Sequence, residues 1–229
     1  MQLQALVDTL HEELLTHTVL HADETPVAML KPGNGKTHKA YLWSYCTTSF
    51  DPVRAVFFDF AETRVGQHAR DFLGVDTEVP NSGWHGTLVG DDYSGYKAAI
   101  VHGVIEAGRM AHARRKFHDL WANQQSTIAE QVLKFFGALY DIERDMQHLG
   151  ADERGRIRQA QAEPITATLH TWLQAQRTRV PERSATARAI DYSLKRWVAL
   201  TRYLGDSTVP CENNWVENQI RPIAIGRGN

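Results

Sequence analysis

Cysteine is nearly absent from this 229-residue chain: Cys46 and Cys211 are the only two, and no C-x-x-C pair occurs. That count argues against a disulfide framework and a cysteine zinc site, and makes a reducing compartment the default. Long apolar runs are missing too. The densest stretch, Ala55 to Ala61, is broken by Asp59, so nothing approaches the roughly 18 residues of a membrane span. The start, Met1-Gln-Leu-Gln4, lacks the basic residues and apolar block of a secretory signal. Positive charge is not in excess: 25 Lys and Arg face 27 Asp and Glu, for a net charge of −2. The whole chain is therefore no strongly basic nucleic-acid binder, although a local patch can still supply the field. Internal repeats and low-complexity linkers are also lacking. What remains, 42% hydrophobic and 23% charged, is ordinary globular usage, neither disordered nor collagen-like. The length predicts one domain with room for an insertion, and the cytoplasm is the expected compartment.

Periodicity predicts the elements. Leu3, Leu6, Leu10 and Leu14 share one face, predicting an amphipathic helix over 3–16. Val19 to Leu30 reads as extended and Lys31-Pro-Gly-Asn-Gly-Lys36 as a turn. Ala40 to Thr48 and Val53 to Phe60 read as two more strands of an antiparallel meander. A helix over about 62–73, with Val65, Ala69 and Phe72 inward, should stop at Gly74. Thr87-Leu-Val89 is a short strand, a short helix lies near 94–100, and a fifth strand runs from Val104 to Met110. Beyond it the pattern is helical. Thr127-x-x-Glu130 reads as a capping box. Ile128, Val132, Phe135, Leu139, Ile142, Met146 and Leu149 form a seam for another helix, in the spacing of a coiled coil. Further helices are predicted over 153–162, over 164–178 behind Pro164, from Ser184 to Gly205, and from about Glu212 to near Pro222. In the third of these Ile190, Leu194, Trp197 and Leu204 share a face.

The order β-β-β-α-β-α-β followed by helices predicts the α/β class: a ribonuclease H-like mixed sheet with a large α-helical insertion at about 122–206. The expected division is an N-terminal helix over 1–17 and a domain over 18–229 that contains the insertion. Asp23 interrupts an otherwise apolar first strand, where a charge needs a reason. Asp91 follows the fourth strand, at the carboxyl end where ligands gather in such sheets. Glu217 lies on the last helix, where Asn213, Glu217 and Arg221 share a face. Strands one and four are expected to be neighbours, bringing Asp23 and Asp91 together, with the last helix adding Glu217.

Three clustered carboxylates repel one another unless cations neutralise them, and hard oxygen ligands suit Mg²⁺ or Mn²⁺. Two such ions ~3.5–4 Å apart can activate a water or 3′-hydroxyl and stabilise the leaving oxygen of a phosphodiester. Each acid taken alone also reads as a turn or surface residue. Glu24 and Asp92 stand beside two of them. Pleat alternation separates Asp23 from Glu24, which point to opposite faces; Asp91 and Asp92 remain alternatives.

Several stretches then occur in a recognisable order: His21-Ala-Asp-Glu-Thr-Pro26, Asp91-Asp-Tyr-Ser-Gly-Tyr96, Gly108-Arg-Met-Ala-His-Ala-Arg-Arg-Lys-Phe117, Asp191-Tyr-Ser-Leu-Lys-Arg-Trp197, Glu212-Asn-Asn-Trp-Val-Glu217-Asn and Arg221-Pro-Ile-Ala-Ile-Gly-Arg227. With these the chain resembles the catalytic domain of insertion sequence 66 family transposases, of the DDE group. The resemblance implies Asp23, Asp91 and Glu217 as catalytic residues and as ligands of two Mg²⁺ or Mn²⁺ ions. It implies DNA strand cleavage and transfer at transposon ends, a homo-oligomer on DNA, accessory transposition proteins as partners, and the bacterial cytoplasm. The long interval from Asp91 to Glu217 fits the helical insertion of similar transposases. The chain departs from the family pattern at Glu212, usually Asp; at Asn218, commonly Arg; and at Asp92, usually Gly. Longer members carry helical and DNA-binding regions upstream and continue past Gly226-Arg227, so the expectation is a core fragment trimmed at both ends.

Arg109, His112, Arg114, Arg115 and Lys116 form the densest basic run, at the expected start of a helix whose N-terminus favours phosphate. The resemblance makes this run a DNA contact. His112 reads either as a neighbour of the metal centre or as a capping histidine. Lys31, Lys36, His38 and Lys39 decorate a hairpin tip that can reach a phosphate backbone or simply be solvated. Arg221 and Arg227 are further phosphate candidates, although Arg221 can instead pair with Glu217. Trp84, Trp121, Trp172, Trp197 and Trp215 read as core or helix packing, with DNA contact the alternative for Trp215. Two other functions remain open: a non-catalytic remnant that binds DNA or a partner transposase, and a stand-alone nuclease on the same fold.

Overall fold

A computed structural model describes residues 2–30, 33, 35–212 and 214–225, without the side chains of Gln2, Asn214, Glu217 and 222–225. In chain order the elements are α1 (Gln2–Thr16), β1 (Val19–Leu30), β2 (Thr37–Cys46), β3 (Val56–Ala61), α2 (Gln67–Leu73), β4 (Thr87–Gly90), a 3₁₀ turn (Ser94–Tyr96), α3 (Lys97–Val101) and β5 (Ile105–Gly108). Then come α4 (Met110–Gln124), α5 (Thr127–Met146), α6 (Ala151–Ile157), a π turn (Arg158–Ala162), α7 (Glu163–Arg177), α8 (Ala185–Lys195), α9 (Trp197–Leu200), α10 (Arg202–Gly205) and α11 (Asn214–Ile225). They form two compact units. One comprises the described residues up to Glu106 together with the last helix; the other runs from Ala107 to Glu212.

The first unit is built on a five-stranded mixed sheet of order β3-β2-β1-β4-β5, so the class is mixed α/β. β2 runs antiparallel to both β1 and β3, and β4 runs parallel to β1. Strands one and four are neighbours, as expected. One sheet face packs Leu20, Ala22, Trp43, Tyr45 and Leu88 against Leu14, Phe72, Leu73, Tyr96 and Ala99. Tyr45 stacks flat on Phe72 at 3.6 Å. The other face is covered by α11, whose Val216 and Ile220 pack on Cys46. Val27–Leu30 and Thr37–Ala40 pair only with each other among the described strands, so the β1–β2 hairpin projects as a two-stranded arm.

Several expectations need correction. Of the four leucines expected on one face of α1, Leu10 and Leu14 reach the core, joined by Leu15, while Leu3 and Leu6 are exposed. The helix expected from 62 begins at Gln67, and Val65 is exposed. The segment before it is irregular because it carries Arg64 to a buried partner, described below. Gly74 does end α2 in the left-handed conformation, its N–H returning to Arg70 and Asp71 carbonyls. Trp121, expected in packing, is exposed.

In the helical unit α5 is capped by Ser126, not Thr127: its hydroxyl accepts from the Ala129 N–H. Its buried stripe is Ala129, Val132, Phe136, Leu139 and Met146, one residue beyond the expected seam at two places, so Phe135 turns toward Trp172 instead. The helices expected on either side of Pro164 form one run, joined by the π turn where the proline interrupts the regular ladder. The helix from Ser184 breaks at Arg196 and Thr201, and α11 continues beyond Pro222.

Arg158, fully buried in that π turn, pairs through two nitrogens with Glu143, both at 2.8 Å, and donates to the carbonyls of Tyr203, Asp206 and Val209. Among the described residues no helix is long and apolar enough to cross a membrane.

Candidate active site

β1 is buried on both faces from Val19 to Ala22, and Asp23 is its first half-buried residue. Its pairing with β4 runs through Val19↔Thr87 and Leu20↔Leu88 to His21↔Val89. Asp23, within β1, and Asp91, just past the end of β4, each lie two residues beyond that last row. The strands stay close there: a Cβ on Gly90 would stand 3.6 Å from the Ala22 carbonyl oxygen. Asp91 thus follows the carboxyl end of β4, where that strand still runs beside β1. Asp91 is half-buried and Asp92 is exposed.

Side-chain parity assigns Asp23 to a face of the sheet. His21 pairs with Cys46 and Asp23 with Ser44, whose hydroxyl donates to the Asp23 carbonyl at 3.2 Å. Cys46 is the residue on which Val216 and Ile220 rest. Asp23 therefore belongs to the sheet face covered by α11, the helix that contains Glu217. The Glu217 side chain lies outside the described residues, as do Arg227, Asn213 and Lys31. Among the described residues no three His, Cys, Asp or Glu side chains form a metal-holding group.

Glu24 takes the opposite face and is buried among Trp43, Tyr96 and their neighbours. One carboxylate oxygen accepts from the Arg64 guanidinium, and the other accepts from the Tyr96 hydroxyl at 2.9 Å. Burial pushes the Glu24 carboxyl above its ordinary value of 4.5, against the pull of the Arg64 and Tyr96 hydrogen bonds. Arg64 also lies over the Tyr93 ring at 4.3 Å, and the Tyr93 hydroxyl donates to the Arg64 carbonyl. Gly66 and Gly95 touch through their backbones: a Cβ on Gly66 would fall 2.5 Å from the Gly95 oxygen.

The basic residues divide by exposure. Arg109 is 3% exposed, and His112 is half-buried in the first turn of α4. Arg114, Arg115 and Lys116 are exposed, with Lys116 over the Tyr192 ring at 4.3 Å. Lys116 and Arg188 also line a cleft of about 370 Å³ between α4 and α8. Lys36 is exposed beside the hairpin arm, and Arg221 is exposed on α11. Trp215 carries Arg54 over its ring at 4.9 Å.

The family model described as Transposase IS66 family matches residues 1–229. The chain belongs to the IS66 transposase family. Similar curated proteins are three from Sinorhizobium fredii, each described as uncharacterized. The protein y4qI is 33% identical over 100% of this chain and 43% of its own length. The protein y4hP is 28% identical over 99% and 43%, and y4jD is 28% identical over 99% and 45%. The chain thus spans less than half the length of the curated relatives it matches. No solved structure matches it.

Two of the stretches that carry the IS66 resemblance meet in this fold. The first supplies Asp23 and Glu24 and the second Asp91 and Tyr96, tied by the Tyr96–Glu24 hydrogen bond. Sequence reasoning missed Arg64 and Tyr96. Tyr96 is the last residue of its stretch; Arg64 stands in none of the stretches that carry the resemblance.

Proposed function

We propose that this IS66 family chain is the catalytic core of a DDE transposase on a ribonuclease H-like fold, cleaving and joining DNA strands at transposon ends. The observation that carries the reading is the parallel pairing of β1 with β4, whose last row, His21↔Val89, precedes Asp23 and Asp91 by two residues each. Strand order supports the fold: three antiparallel strands with a fourth added parallel to the first. α11 on the Asp23 face supports Glu217 as the third acid.

Carboxylates gathered at one strand end would repel one another unless cations neutralised them. Their oxygens are hard donors suited to Mg²⁺ or Mn²⁺, and Asp23, Asp91 and Glu217 would hold two such ions. Bound ions of this kind activate the attacking water or 3′-hydroxyl and stabilise the leaving oxygen. Glu24 is spoken for by Arg64 and Tyr96 and serves no ligand role. The exposed Arg114, Arg115 and Lys116, with Lys36 and Arg221, would contact DNA phosphates and set register on the strand; Arg227 joins them on the resemblance alone.

The test uses a protein that contains this chain and DNA carrying the ends of its insertion sequence. Asp23→Asn, Asp91→Asn and Glu217→Gln should each abolish Mg²⁺-dependent cleavage and joining while DNA binding persists. Cleavage that survives Asp23→Asn sinks the assignment.

A further inference from the structure

We propose that Glu24 is a positioning residue: from the face of β1 opposite Asp23, its carboxylate fixes the turn that carries Asp91 and so sets the spacing of the two aspartates. This rests on the metal reading above and goes beyond it.

A buried carboxylate is a poor device for stability alone. Taking it out of water is costly, and well-packed apolar replacements of buried ion pairs are often neutral or stabilising. Position 24 lies in an aromatic core of Trp43, Tyr96 and Tyr93, where an apolar side chain would pack. What the carboxylate adds is direction, because its two oxygens reach two different segments. One holds Arg64, from the segment after β3, and the other holds Tyr96, from the turn after β4.

That turn needs an anchor. The last paired row between β1 and β4 is His21↔Val89, so Asp91 lies past the end of the ladder. From Asp91 the chain bends at once, the Tyr93 N–H returning to the Asp91 carbonyl at 2.7 Å, and enters the 3₁₀ turn that ends at Tyr96. Tyr96 then ties back to Glu24, the residue next to Asp23. A closed path results: Asp23, Glu24, Tyr96, the turn, Asp91. Arg64 stiffens it from outside, through Tyr93 and the Gly66–Gly95 contact. A shift of the Tyr96 hydroxyl would move Asp91 relative to Asp23 with no change in either ligand.

The test is Mn²⁺ binding to the 229-residue chain, followed by titration and by the electron paramagnetic resonance of the bound ions, with thermal unfolding alongside. Tyr96→Phe removes one hydroxyl and leaves the ring. Glu24→Gln keeps an acceptor for Tyr96 and removes the charge facing Arg64. Each should weaken Mn²⁺ binding by about 10–100-fold, the range for an outer-shell partner, and change the Mn–Mn coupling, with circular dichroism unchanged.

Unchanged affinity and coupling beside a lower melting temperature would reduce Glu24 to a brace and overturn the inference. Loss in Glu24→Gln with wild-type behaviour in Tyr96→Phe would make Glu24 a ligand and also overturn it. Asp23→Asn and Asp91→Asn separate the two levels. If they lose Mn²⁺ while the Glu24 and Tyr96 variants keep it, only the positioning role fails. If the wild type binds no Mn²⁺, the metal reading fails and this inference with it. Should Glu24→Gln not fold, Tyr96→Phe decides alone, with faster amide hydrogen exchange expected across 91–96 and wild-type exchange there overturning the role.

Discussion

Asp23 and Asp91 each follow by two residues the His21↔Val89 row that ends the parallel pairing of β1 with β4, and Asp92 beside the latter is exposed. The chain bends directly after Asp91, which leaves Asp91 half-buried and Asp92 in the exposed bend. Asp92→Asn should therefore leave Mn²⁺ affinity near the wild-type value. Asp91→Asn should lose more than the roughly 10–100-fold typical of an outer-shell partner. Calorimetric titration of the two variants decides between the acids, and equal losses would refute the register argument.

Arg158 in the π turn supplies a stability prediction. Its guanidinium satisfies Glu143 and three backbone carbonyls at full burial. Arg158→Ala leaves a buried carboxylate and those carbonyls without their donor, so unfolding in urea should show a loss of about 3–5 kcal/mol. Arg158→Lys should recover only part of it, because an ammonium cannot reproduce the two-pronged contact.

The Gly66–Gly95 approach predicts a second loss. Gly66→Ala puts a methyl 2.5 Å from a backbone oxygen that cannot swing aside. Thermal unfolding should report a cost of about 1–3 kcal/mol, as for other overpacked sites. Gly137→Ala, where a Cβ meets nothing within 4 Å, is the control and should not destabilise the chain.

Glu24 predicts a pH dependence of stability. Burial raises its carboxyl above the ordinary 4.5, so the folded chain holds that proton more tightly than the unfolded one. Its contribution is full below 4.5 and is lost as pH rises through the folded value. Urea unfolding across this range should show the wild type losing stability relative to Glu24→Gln as pH increases. An opposite slope would mean that Arg64 outweighs burial.

Much of the sheet was readable from the sequence because its signals are local. Val19 to Leu30 announces an extended segment by its own residues, and Gly74 stops α2 by its own backbone freedom. The neighbouring of β1 and β4 followed from the order of elements. What escaped depends on partners far along the chain. Arg64 and Glu24 meet only once three segments converge, so nothing near Arg64 announces the pair. Arg158 lies in a stretch that reads as ordinary helix, and nothing near it signals the carbonyls of Tyr203, Asp206 and Val209 that close over it. Ser126 and Thr127 are both good caps, and only the backbone angles at Ser126 separate them. At the site, the pairing of β1 with β4 is as the order of elements predicts; Glu24's pairing shows why the acid beside Asp23 is otherwise engaged.

The return of α11 to the first unit sets an order of events during synthesis. Cys46 waits for Val216 and Ile220, which leave the ribosome only after the whole helical unit has been made. That unit is contiguous in the chain and rich in near-neighbour helix contacts, the kind that form quickly. The face bearing Asp23 therefore stays open longest. Until the last helix arrives, a nascent chain exposes an apolar sheet surface, the sort of intermediate that chaperones capture.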